Sequence, residues 1–169
     1  MIKLYKLDIQ GKLHYHEAWS IENEIVEHWG EVGTVGETSN HAYKRNGDEN
    51  SALERVLTRA RELGFSEIPA EDHRILIIEY PIENNQAEAT LAKQNDVILV
   101  LDEILGWTGL GQTDGGNIHS ETMEVCCAVV DFDLARRIIA EDLRETQHAN
   151  YSRIYDEEAE FTHIPRAQS

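Results

Sequence analysis

The residues best equipped for chemistry stand in one short run of the chain: Asp114, His119, Glu121 and Glu124. A carboxylate beside an imidazole can act as a general base, and the same donors suit a divalent cation. Spacing alone does not fix their mutual geometry. A chain with 32 Asp and Glu against 15 Lys and Arg also brings such neighbours together through composition, so the solvated face of a strand is the plainer reading of the run. Just upstream, Gly109-Leu110-Gly111-Gln112-Thr113-Asp114-Gly115-Gly116 invites a phosphate-cradle reading. A dinucleotide fingerprint needs Gly-x-Gly-x-x-Gly between a strand and a helix; here the third glycine is misplaced and a strand follows. A glycine-bulged hairpin is the plainer reading, and it requires φ above zero at Gly115 or Gly116. His14 and His16 share one face of a strand but lack a clear third ligand. Cys126 and Cys127 are adjacent and point to opposite strand faces, as small buried hydrophobes outside any disulfide framework. Neither a serine nucleophile elbow nor a His-Glu-x-x-His motif occurs. No cofactor is expected.

A second stretch organises the first half: Ile25-Val26-Glu27-His28-Trp29-Gly30-Glu31-Val32-Gly33-Thr34-Val35-Gly36-Glu37. Three glycines at three-residue steps follow a large aromatic, the pattern of a kinked strand entering a tight turn. Trp29 is expected to pack beneath that turn. The stretch resembles the WGR domain, in which a Trp-Gly-Arg triplet is followed by Val-Gly and a further Gly. Trp29, Gly30, Val32, Gly33 and Gly36 match, and Glu31 stands where the family has Arg. In the WGR domains of poly(ADP-ribose) polymerases, the Trp and Arg help to hold a DNA end. The resemblance therefore implies a binding face at Trp29, with His28, Glu31, Lys44 and Arg45 around it. An aromatic face can stack on a base, but Glu31 would repel the phosphate that an Arg attracts.

Charge weighs the same way. The net charge is −17, and residues 71–169 carry 20 acidic against 7 basic side chains, a net of −13. Such a surface repels nucleic acid at long range and suits solubility or a basic protein partner. With 41% hydrophobic residues the chain is globular. Its N-terminal residues lack the apolar core of a signal peptide, and no apolar run is long enough to span a bilayer. A cytoplasmic protein without a membrane partner is expected.

The elements follow from periodicity. Residues 2–9 form a strand, Leu13 starts another, and residues 25–29 and 32–43 form two more. Asn50 or Ser51 caps a helix in which Leu53, Val56, Leu57, Ala60 and Leu63 recur at helical spacing, stopped by Gly64. Gly64-Phe65 matches the terminal Gly-Tyr of WGR-like domains, whose strands-then-helix order is also similar. Ile68–Asp72 marks a boundary. Beyond it come a buried strand over Arg74–Tyr80, a helix from Asn84 or Asn85 to Gly106, the glycine-rich segment, and a strand over Met123–Val130. A helix capped by Asp131 or Asp133 follows, then a strand over Tyr151–Tyr155 and an acidic segment, Asp156–Glu160. This β-α-β-β-α-β order is that of a split βαβ, ferredoxin-like unit. The second half also resembles small bacterial domains of unknown function that carry Gly-x-x-Asp-Gly-Gly in the second strand.

The fold class expected is α+β: a WGR-like β-rich domain over 1–68, a ferredoxin-like domain over 72–160 and a tail over 161–169. The function expected is that of a non-catalytic bacterial interaction protein, of immunity or inhibitor type, binding a basic protein. The alternatives are nucleic-acid binding through the Trp29 face and an enzyme or metal site at Asp114–Glu124.

Overall fold

The computed structural model describes residues 1–43, 48–82 and 87–162, without the side chains of 160–162. It is a mixed α+β structure containing two four-stranded antiparallel sheets. Two compact units are resolved by their internal packing. The first comprises Met1–Pro69 together with Trp107–Gly109, a segment that the sequence pattern places in the second half.

In the first unit, β1 (Ile2–Leu7), β2 (Leu13–Ile21), β3 (Glu24–Glu31) and β4 (Glu37–Ala42) pair in chain order. Strand β2 is longer than expected, and β4 begins later, because residues 32–36 belong to a turn. There Thr34 N–H donates to the Glu31 carbonyl at 3.0 Å, and Gly33 takes a φ of 91°. Helix α1 (Glu49–Glu62) lies on one sheet face, placing Leu53, Leu57 and Ala60 against Leu4, Ala18 and Ile25. Burial of each large aliphatic side chain there contributes about 1.5–3 kcal/mol. The helix is capped by Asp48, not by Asn50 or Ser51: its carboxylate accepts from Asn50 N–H at 3.2 Å and from Ser51 Oγ at 2.7 Å. A cap must be extended with its side chain turned back on the first turn, and Asp48 is the residue with that backbone.

The turn glycines serve Tyr15 and not Trp29. Side chains alternate along β3, so Trp29 and Gly30 face opposite sides, and Gly30 is paired with Tyr15 across the ladder. A Cβ on Gly30 would come within 3.1 Å of the Tyr15 ring, and one on Gly36 would meet both the Trp29 carbonyl and the Tyr15 hydroxyl. Gly109 closes the third side of this socket, where a Cβ would enter the ring itself. Tyr15 is fully buried there.

The second unit runs β5 (Arg74–Pro81), α2 (Ala87–Trp107, whose last residue belongs to the first unit), β6 (Gly111–Ile118), β7 (Thr122–Val129), α3 (Phe132–Leu143), β8 (Arg153–Asp156) and α4 (Glu157–Thr162). Its strands lie in the order β6-β7-β5-β8. The alternation of β7 is as expected, with Met123, Val125, Cys127 and Val129 all buried. Central strand β5 is closed on both faces at Leu76, Ile77 and Ile78. The segment Val97–Leu101 is helical, with Val97, Leu101 and Leu105 sealed in the core. The candidate caps Asn84 and Asn85 lie outside the described residues. Helix α2 passes Gly106 by one residue, and α3 is capped by Asp131, whose carboxylate accepts from Leu134 N–H at 3.0 Å. Part of the segment expected to lead into a tail is instead α4. Asp156 makes that turn, since its carboxylate accepts from Glu158 N–H at 3.0 Å. It is also held by an ion pair with Arg74.

Candidate functional site

On the sheet face away from α1 the first unit buries a connected polar chain. Glu17 Oε1 accepts from His28 Nδ1 at 2.8 Å, and the other ring nitrogen, Nε2, stands 2.8 Å from the Tyr15 hydroxyl. A carboxylate can only accept, so Nδ1 carries the proton, and in the neutral ring Tyr15 donates to Nε2. The same hydroxyl accepts from Gly36 N–H at 2.9 Å and lies near the carbonyls of Thr34 and Trp107 at 3.2 and 3.3 Å. Glu17 Oε2 faces Lys3 Nζ at 3.0 Å, a pairing of charges off hydrogen-bond geometry. Trp19 and Trp107 set their rings edgewise against His28, at 6.1 and 5.0 Å between centroids. Burial, with Glu17 adding to it, pushes the Tyr15 hydroxyl up to about 12. Tyr5, which donates to the Gly109 carbonyl at 3.1 Å, is raised further for the same reasons.

The binding candidate His28 is 1% exposed, and both its ring nitrogens are engaged inside the unit. Its role is to satisfy buried polar groups that would otherwise be costly.

Trp29 lies half-buried on the opposite face, stacked on His16 with ring centroids 5.8 Å apart. Phe65 also meets His16 edge-on, at 5.7 Å between ring centroids. Beside them Glu27 is gripped from two sides, by His16 Nε2 on Oε1 and by His41 Nε2 on Oε2, each at 2.6 Å. Both imidazoles donate to that carboxylate. Glu31 is paired with Lys12 at 2.8 Å, and Glu37 is the cross-strand partner of Trp29. Lys44 and Arg45 lie outside the described residues. Three carboxylates thus stand along the strands that carry the Trp29 ring.

In the β6–β7 hairpin, His119 reaches Glu124 at 3.3 Å, and Tyr155 donates to the other Glu124 oxygen at 2.9 Å. Burial and this carboxylate raise the Tyr155 hydroxyl. Asp114 and Glu121 are exposed and do not join that pair. Among the described residues no group of three or more His, Cys, Asp or Glu is arranged to hold a metal ion. The glycines have a packing role. The ladder shifts register between Thr113 and Gly116, and Gly115 has a φ of 83°. Gly116 leaves room for the Gln94 amide, which donates to the Glu124 carbonyl at 2.9 Å. Cys127 is buried and its thiol raised by desolvation; Cys126 is half-buried and shifted the same way, opposite to an activated nucleophile.

The Glu27 clamp is not visible in the sequence, although His16 is a candidate ligand there, because His16, Glu27 and His41 come together only through the register of three strands. A scan against family models and searches of curated proteins and of solved structures found no match for the chain. Among the described residues no helix is long and apolar enough to cross a membrane.

Proposed function

We propose that this chain is a non-catalytic interaction protein that binds a basic protein partner in the cytoplasm, in the manner of an immunity or inhibitor protein. One observation carries the reading: the second unit's acidity is displayed on its surface. Glu71, Asp72, Asp96, Glu103, Glu141 and Glu145 are all exposed, within a region carrying 20 acidic against 7 basic side chains. A surface predominantly of one sign steers an oppositely charged partner and rejects like-charged ones. The element order and the strand order β6-β7-β5-β8 support a ferredoxin-like reading of this unit, a fold that hosts binding as readily as catalysis.

For the first unit we propose the WGR-like reading, supported by four antiparallel strands followed by a helix and by the turn glycines at their close backbone approaches. Glu27, Glu31 and Glu37 along the strands around Trp29 weigh against a phosphate backbone there, so nucleic-acid binding is not the function favoured. Affinity purification of the full chain under native conditions, with the captured protein then purified and remixed, tests the proposal. The expected partner has an isoelectric point above about 9 and re-forms the complex from pure components. Re-formation only with an acidic protein, or only with DNA, contradicts it.

A further inference from the structure

The two long helices of the second unit present different faces to solvent. The exposed residues of α3 are Asp133, Arg136, Arg137, Glu141 and Asp142, all charged and mixed in sign, as expected of a solvated helix. Helix α2 departs from this. Leu91 and Leu99 are 51% and 66% exposed, with exposed Asn95 midway between them at four-residue steps and exposed Ala92 alongside. Half-buried Ile98 extends the apolar character on one flank.

The charges on this face have one sign. Glu88, Asp96, Asp102 and Glu103 are exposed around the leucine line. Lys93, the only base in the helix, is turned away: it bonds Asn150 at 3.3 Å and lies 4.8 Å over the Tyr80 ring. Asp102 is fixed in place, since its Oδ1 accepts from Thr113 N–H at 2.9 Å and Thr113 Oγ1 at 2.8 Å. A carboxylate already immobilised loses little entropy when it meets a cation.

We infer that the outward face of α2 is the docking surface of the acidic unit, and that its occupant is a basic amphipathic helix of a partner protein. The partner's apolar side chains seat on Leu91 and Leu99, and its Lys or Arg residues meet Glu88, Asp96, Asp102 and Glu103. Charge complementarity selects this occupant. A second copy of the chain would set carboxylates against carboxylates, and an anionic lipid surface or nucleic acid would be repelled by the same rim. This inference rests on the proposed protein-binding function and names the surface that performs it.

The test is an NMR titration of the isotope-labelled full chain with a designed amphipathic helix of leucine and lysine, and with its leucine–glutamate counterpart. The lysine peptide is expected to shift amides clustered on Leu91, Asn95, Leu99 and Glu103, and the glutamate peptide to shift none of them. Leu99→Lys, at a solvent-facing position, is expected to weaken binding at least tenfold without changing the melting temperature. Shifts that map to the Trp29 face, or spread over every exposed carboxylate, overturn the docking surface while leaving a basic partner in place. No shifts anywhere with the lysine peptide would count against the proposed function as well.

Discussion

Replacing Tyr15 by Phe removes one oxygen and leaves the ring in its glycine socket, so the change tests the buried polar chain directly. Two groups lose their partner. His28 Nε2, on a side chain 1% exposed, is left without a donor in a site closed to water, at a cost of about 2 kcal/mol. Gly36 N–H is half-buried and can recover a water, so its loss costs about 1 kcal/mol. The sum is about 3 kcal/mol. The chain's three tryptophans, Trp19, Trp29 and Trp107, all belong to the first unit, so indole fluorescence during urea unfolding reports on that unit. With a slope of about 1.5 kcal/mol per molar, the midpoint should fall by about 2 M. Tyr5→Phe, which removes a single hydrogen bond to Gly109, should cost about 1 kcal/mol. A Tyr15→Phe midpoint no lower than that of Tyr5→Phe would refute the idea that the hydroxyl completes the His28–Glu17 chain.

Alkaline pH should destabilise the fold. Tyr15 titrates near 10.0 when unfolded and at about 12 when folded, so its contribution is complete below pH 10 and lost as pH climbs from 10 towards 12; denaturation midpoints across that range, with tyrosinate absorbance, will show it. Gly116→Ala should cost about 1–3 kcal/mol, because the added Cβ meets the Glu124 backbone carbonyl and the Gln94 amide bonded to it, whereas Asp114→Asn should leave melting unchanged with or without Mg²⁺, Mn²⁺ or Zn²⁺. Trp29→Ala should cost about 1–2 kcal/mol, less than a sealed tryptophan would, and duplex DNA should bind the parent chain no tighter than about 10 μM, outside the range of specific sites; a fluorescence titration at physiological salt measures this. Asp131→Ala should cost about 1 kcal/mol through loss of the α3 cap, read in a thermal melt.

What was legible in the sequence was whatever a local period carries. Leu53, Leu57 and Ala60 lie on the buried face of α1, and Met123 to Val129 alternate into the core as the pattern requires. The positive φ of Gly115 follows from the bulge reading. What was not legible depends on residues distant in sequence. Gly30 and Gly36 advertised a turn, but the ring they accommodate comes from β2 and the third wall of its socket from Gly109. Trp29 drew attention as the aromatic beside the glycines, and the alternation of a strand sends it to the other face. Likewise, His28 looked like a surface ligand because nothing local reveals that Glu17 and Tyr15 flank it. The cap at Asp48 is not legible because Asn50 and Ser51 compete for the same role and only backbone conformation decides among them, and α4 is hidden in an acidic segment too short to show a helical period.

The central claim is electrostatic, and isothermal titration of the purified partner into the full chain across a series of NaCl concentrations tests it most directly. If the acidic second unit captures a basic protein, the dissociation constant should rise steadily with salt and by about tenfold or more between low and physiological ionic strength. A dissociation constant that does not change with salt would contradict the account.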